Sequence, residues 1–163
     1  MNDIDNTDNC FINLVSSESC MIPIGIKAAK KSNFINNFIN DYPNENIVFN
    51  TINYSTLKKA AEFLEHYKDS EPREIRYPLP KKEFKDCVDM WDYEYINISN
   101  EDVLELMLAA NFMDIKPLLE LTCAKIASVI KGKSTKEIQD LLNIESDNID
   151  DEENSSNDTD EGD

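Results

Sequence analysis

One histidine, four cysteines and a crowd of carboxylates are the side chains from which this sequence would have to build a reactive site. His66 lies in "NYSTLKKAAEFLEHYK", on the charged side of a helix whose other side carries Tyr54, Leu57, Ala60, Ala61 and Leu64. With a single histidine, a Cys–His pair is the one conventional nucleophile–base arrangement open to the chain. A histidine facing solvent does not make such a pair, so a solvated role is expected for His66.

Cys10, Cys20, Cys87 and Cys123 show no C-x-x-C spacing, and no structural metal site is expected from them. Reduced thiols of the cytosol or nucleus fit this usage. Cys123 sits inside an apolar helix and is expected to pack as a small hydrophobe; a Cys-dependent activity would need a lowered thiol pKa that nothing nearby suggests. Three glycines form no phosphate-cradling loop. Asp150-Asp151 and Glu152-Glu153 are too many and too open to be a tuned acid–base pair. Ser155 followed by Asp158 has the form of an acidic-directed kinase site, a pattern that Ser/Asp-rich tails produce by chance. The expectation is a protein that is not an enzyme, with no catalytic residue, cofactor or metal.

The formal charge of −17 is unevenly spread. Asp3, Asp5 and Asp8 lie at the N-terminus without a base, and residues 145–163 hold ten acids and no base. Setting those thirteen aside leaves 20 acidic against 16 basic residues in between. No Lys/Arg stripe is present to neutralise phosphates, so no nucleic-acid binding and no adsorption to an anionic membrane are expected. No window approaches 18 uncharged apolar residues, and "MNDIDNTDNC" lacks the order of a signal peptide. Partners should be proteins.

The elements that would position a protein-binding surface can be read from pattern. "FINLV" at 11–15 and "CMIPI" at 20–24, separated by "SSES", read as a hairpin, and "NIVFN" at 46–50 as a third strand. Ser32 and Asn53 are plausible caps for helices over about 33–40 and 53–68. Residues 69–90, with Pro72, Pro78 and Pro80, are expected to be a mobile loop, ended by Trp91 and Tyr95 as core anchors.

From Ser99 onward the pattern is helical. "SNEDVLELMLAA" starts with Ser99 and Asp102 in a capping-box-like pair and is apolar on nearly every face. Asp114 is expected to cap the next helix, with Pro117 at its third position. That helix presents Ile115, Leu118, Leu119, Ile126, Val129 and Ile130 as one stripe, widened by Leu121 and Ala124, and stops at Gly132. Ser134 and Glu137 form a capping box for a short helix with Ile138, Leu141 and Leu142. Residues 1–9 and 145–163 cannot bury enough apolar surface to offset ordering entropy and are expected to be disordered. The apolar surplus after residue 99 is either a larger core or a groove awaiting a partner.

The stretch "LAANFMDIKPLLELTCAKIASVIKGKSTKEIQDLLNI", with "WDYEYI", "LKKAAEFLEHYKD" and "AKKSNFINNFI", resembles the Skp adaptors of cullin–F-box (SCF) ubiquitin ligases over roughly residues 12–144. The resemblance implies an α+β, BTB/POZ-like fold: a core over 10–98 and helices over 99–144 that complete it and bind an F-box. It implies an adaptor that bridges a cullin scaffold to F-box substrate receptors in the cytoplasm and nucleus, acting by proximity. Carried over by position, Asn111 and Phe112 face the cullin. Leu104, Leu119, Ile126, Ile130, Ile138, Leu142 and Ile144 fall on helices that meet the F-box.

Thr135 stands where the family commonly has Pro, Asp89 replaces the proline before the W-D pair, and "SSES" lacks the usual turn glycine. Where family members continue after N-I with a further helix closing in W-C, this sequence has "ESDNIDDEENSSNDTDEGD". Alternative readings are an elongin C-like or kinetochore-associated BTB adaptor, and an acidic-tailed chaperone of basic proteins. Exposed apolar helices would also support weak self-association of the free protein.

Overall fold

The computed structural model describes residues 10–79 and 83–142. Strands β1 (Phe11–Val15) and β2 (Met21–Gly25) form an antiparallel hairpin, and β3 (Ile47–Val48) pairs with β1 in parallel, giving the order β2-β1-β3. The register sets Ile12 opposite Ile24 and Leu14 opposite Ile22, so the period of two puts all four on one buried face. Lacking glycine, the hairpin turn places Ser19 in the left-handed region, at φ 63°, and the Ser16 and Cys20 backbones close it.

Helices α1 (Ile26–Ala29) and α2 (Asn33–Asp41) lie between β2 and β3, and α3 (Tyr54–His66) follows β3. Ser32 accepts from the Ile35 N–H and Asn53 from the Thr56 N–H, so both expected caps are present. The Ser32 hydroxyl also donates to the Met113 carbonyl at 2.6 Å, tying the start of α2 to the end of a helix 81 residues away. Of the apolar face expected on α3, Leu57, Ala60, Ala61 and Leu64 are buried, while Tyr54 is exposed.

Within 69–90 the described residues comprise an extended strap and a 3-10 turn at Phe84–Asp86, anchored by buried Ile75, Cys87 and Val88. Helix α4 (Met90–Tyr95) then buries Tyr95, whose hydroxyl donates to the Lys59 carbonyl at 2.6 Å. Trp91 is only partly buried. His66 is exposed as expected, but not free: its ring lies parallel to Trp91 with centroids 3.6 Å apart. Asp92 is buried and accepts the Tyr67 hydroxyl at 2.7 Å. Burial pushes the Asp92 carboxyl above the usual carboxylate range, with the Tyr67 bond pulling the other way.

Helices α5 (Asn100–Phe112) and α6 (Lys116–Ile130) pack against each other as a helical hairpin, and α7 (Thr135–Leu141) follows. The break between α5 and α6 corrects one expectation. Asp114 does not cap α6: Ile115 occupies that position, and Pro117 is the second residue of the helix rather than the third. Asp114 instead takes a left-handed φ of 50°, while the Ile115 N–H donates to Ala110 and the Asp114 N–H to Asn111. That pair of bonds is a Schellman ending for α5, a place where glycine or asparagine is usual, with Ala110 and Ile115 both buried beneath it. The Asp114 carboxylate accepts from the Asn33 side chain at 2.9 Å, which occupies it elsewhere.

One core runs through the molecule, from Leu14 and Ile24 of the sheet through Leu57 of α3 to Leu106 and Leu118 of the α5–α6 hairpin. The architecture is α+β, a small sheet among helices with a helical C-terminal part, as the resemblance implies. The expected disorder of residues 1–9 and 145–163 concerns segments outside the described residues.

Candidate partner-binding surfaces

Helix α6 changes character along its length. Leu118, Leu121, Thr122 and Ala124 are buried, but from Lys125 to Ile130 no residue is. The single stripe expected from sequence is therefore two: a core face through Leu118 and Leu121, and a face through Leu119, Ile126 and Ile130 that stays partly open. Spacings of seven and four residues place those three on one side of the helix. Leu119 and Ile126 still touch the core.

Helix α7 continues the open region. Ile138, Leu141 and Leu142 are partly exposed, no residue of the helix is fully buried, and it makes no extensive contact with another described element. Its folding is local: Ser134 accepts from the Glu137 N–H, and the Glu137 carboxylate accepts from the Ser134 N–H at 2.7 Å. Those bonds hold the Glu137 carboxyl below its usual range. Gly132, at φ 77°, makes the turn that separates α7 from α6. Ile144, expected on the same surface, lies outside the described residues.

Leu104, on α5, is partly exposed. Next to it, Met107 and Cys123 join the two helices of the hairpin across a 3.7 Å S–S contact, and Cys123 is exposed rather than packed away. The expectation of a buried Cys123 was wrong because the helix has two apolar faces, and this residue follows Leu119 by four positions on the open one. Tyr77 of the strap donates to the Glu120 carbonyl at 3.3 Å, placing the strap along the same helix.

A second surface lies at the end of α5. Asn111 and Phe112 are exposed, as expected. The Phe112 ring nevertheless has an inner side, with centroids 5.2 Å from Phe34 and 6.1 Å from Phe49. Beside it, Ile52, Asn53, Glu105, Leu108, Asn111 and Phe112 line an open depression of about 430 Å³. Glu105 on its lining accepts from Asn53 at 2.8 Å and from Thr56 at 3.1 Å. Leu108 is 67% exposed, more than Phe112 at 53%, and was missed in the sequence. Its position four residues before Phe112 in an all-round apolar helix was the available signal.

Among the described residues no cluster of His, Cys, Asp or Glu could hold a metal ion, and no helix is long and apolar enough to cross a membrane. What the two surfaces offer is apolar area with hydrogen-bonded edges, the chemistry of protein docking.

Comparison with known proteins meets this geometry at the open end. A family model described as "Skp1 family, dimerisation domain" matches residues 116–158, beginning at the first residue of α6. The S-phase kinase-associated protein 1 homolog of Tetrahymena thermophila is 39% identical over 144 residues, covering 87% of each chain. The E3 ubiquitin ligase complex SCF subunit sconC of Arthroderma benhamiae is 35% identical over 87% of this chain and 88% of its own. The sconC subunit of Aspergillus oryzae is 33% identical over 87% and 89%. Similarity that runs from the sheet through the open helices at this level of identity shows that the chain belongs to the Skp1 family.

Proposed function

We propose that this chain is a non-catalytic adaptor subunit of an SCF-type ubiquitin ligase, holding a cullin scaffold on one surface and an F-box substrate receptor on the other. The observation that carries the reading is the end of the fold. Six apolar residues, Ile126, Val129, Ile130, Ile138, Leu141 and Leu142, lie on two helices that bury none of them. They belong to a chain whose relatives are named as SCF subunits of ubiquitin ligases. Such a face is the complement of an amphipathic helical partner, with Leu and Ile supplying the buried anchors.

In this reading the F-box lies along Leu104, Leu119, Ile126, Ile130, Ile138, Leu142 and Ile144. The cullin meets Asn111 and Phe112, with Leu108 beside them. The cullin surface and the α6 part of the F-box surface share one helical hairpin, so the adaptor works as a spacer that raises the local concentration of substrate at the ligase. Work in the cytoplasm and nucleus belongs to the same reading and is checked by imaging a tagged copy.

The test separates the surfaces. Ile130→Glu with Ile138→Glu is expected to abolish capture of a purified F-box domain while leaving binding of a purified cullin unchanged. Leu108→Lys with Asn111→Lys is expected to do the reverse. Phe112 is left in place because its inner side packs on Phe34 and Phe49. Circular dichroism of each variant shows that it is folded. A folded variant that keeps its targeted partner overturns the assignment of that surface.

A further inference from the structure

The depression beside Phe112 carries one charge. Among the described residues that line it, Glu105 alone is ionisable, and no lysine or arginine stands there to neutralise it. The segment 46–57, which supplies Ile52, Asn53 and Thr56, holds no Asp, Glu, Lys or Arg. A single carboxylate therefore faces an otherwise uncharged hollow.

Glu105 is also held in place. Asn53 Nδ2 donates to its Oε2 at 2.8 Å, and Thr56 Oγ1 donates to the same oxygen at 3.1 Å. Asn53 is fixed in turn by its capping role, with Oδ1 accepting from the Thr56 N–H and from the Ser55 hydroxyl, each at 2.8 Å. Both donors to Glu105 are neutral, and a glutamine oxygen would accept from them equally well, so these bonds do not call for a charge. Oε1 accepts from no donor among the described residues. A carboxylate pinned through one oxygen and open through the other is a preorganised acceptor.

The surroundings say which donor fits. Glu105 precedes Leu108 by three residues and Phe112 by seven, so the three share one side of α5, and both apolar side chains are exposed. A partner side chain entering the hollow of about 430 Å³ meets an apolar wall along its length and a negative charge at its end. Arginine has that profile: an apolar stem, and a planar guanidinium that stacks on an aromatic ring while donating to a carboxylate. An apolar anchor would leave the charge covered and unpaired. We propose that the depression is an arginine socket, in which an arginine of the cullin scaffold lies along Leu108 and Phe112 and donates to Glu105 Oε1. The inference rests on the adaptor reading, which supplies the partner, and makes Glu105 the specificity determinant of that surface.

The experiment measures the affinity of the full chain and of its Glu105→Gln variant for a purified cullin at about 50 mM and about 0.5 M NaCl, with a purified F-box domain as the second ligand. Glu105→Gln keeps an acceptor for Asn53 and Thr56, so its urea midpoint and its F-box affinity should equal the parent's. Its cullin affinity should fall about tenfold at low salt. The parent's binding should weaken at high salt, and that dependence should be largely lost in the variant. In a second arm, Glu105→Arg is tested against cullin variants with one arginine or lysine at a time changed to Glu. Exchange of one arginine should restore at least about tenfold of the lost affinity.

Equal cullin affinity of parent and Glu105→Gln at low salt, with Leu108→Lys and Asn111→Lys together still abolishing it, overturns the socket and leaves the adaptor reading standing. Restoration by exchange of a lysine alone overturns the choice of arginine. A matching fall in F-box affinity or in the urea midpoint makes Glu105 a structural residue and overturns the socket. No cullin binding by the parent at either salt overturns the adaptor reading and the socket with it.

Discussion

Leu118 and Ile130 lie on one helix, twelve residues apart, and meet opposite surroundings. Leu118 is fully buried against a core that reaches back to the sheet, whereas Ile130 remains partly exposed at the end of its helix. The same contrast divides the molecule. From β1 through the first half of α6, most apolar side chains close on one another; from Lys125 onward none of the described ones is fully buried, although Ile126 still packs on the core. Hydrophobicity alone does not distinguish the two regions. The difference is whether the fold supplies a second layer, and a protein that leaves one out presents a surface ready for a partner's helix.

The widest test of this contrast truncates both residues. Leu118→Ala is expected to cost about 2–5 kcal/mol of stability, because it opens a cavity in a packed core. Ile130→Ala should cost less, about 1–2 kcal/mol, since that side chain is only partly buried and its removal opens no closed cavity. Urea denaturation of both measures the difference, and equal losses would mean that the end of α6 belongs to the core after all.

Caps give a smaller contrast of the same kind. Ser32→Ala removes a cap whose hydroxyl also serves the buried Met113 carbonyl, so about 1–3 kcal/mol should disappear from global stability. Ser134→Ala removes a cap from α7, which packs on nothing extensively, and should leave the global midpoint within error. Its effect should appear as faster amide exchange in residues 135–142 alone. A global loss from Ser134→Ala would close the gap between the regions.

The smallest effect concerns Asp92 in the closed region. Its folded-state pKa lies above the unfolded value because of burial. The folded chain therefore holds that proton more tightly, a contribution fully present below the unfolded pKa and lost as pH rises through the raised one. Asp92→Asn keeps an acceptor for the Tyr67 hydroxyl and cannot titrate. Relative to the parent it should gain up to about 1 kcal/mol between about pH 4 and pH 7. Denaturation midpoints at the two pH values check this, and a difference that does not change with pH would show that Asp92 is not a strained charge.

Much of the fold was legible in advance because it rests on local rules. Ser32, Asn53, Ser99 and Ser134 cap the helices expected of them, since a side-chain oxygen needs only the next turn's N–H groups. The hairpin register follows from alternation between faces. Asp114 was misread because two local roles compete at one position, a cap for α6 or the left-handed ending of α5. The long-range bond to Asn33 and the burial of Ala110 and Ile115 accompany the second. The two faces of α6 were merged for a similar reason: apolar residues on adjacent sides of a helix look like one wide stripe until neighbours cover one of them.

The sequence by itself determined most of the helix caps, the approximate places of the strands, and that apolar helix is in surplus after residue 99, because caps, periodicity and composition act over a few residues. Only the tertiary structure decided which of those apolar side chains are core and which are open. Burial is a property of what packs on top, and the residues that cover Leu118 but not Ile130 are spread over the whole chain. It also brought Leu108 beside Asn111 and Phe112, and set Cys123 against Met107 on an exposed seam.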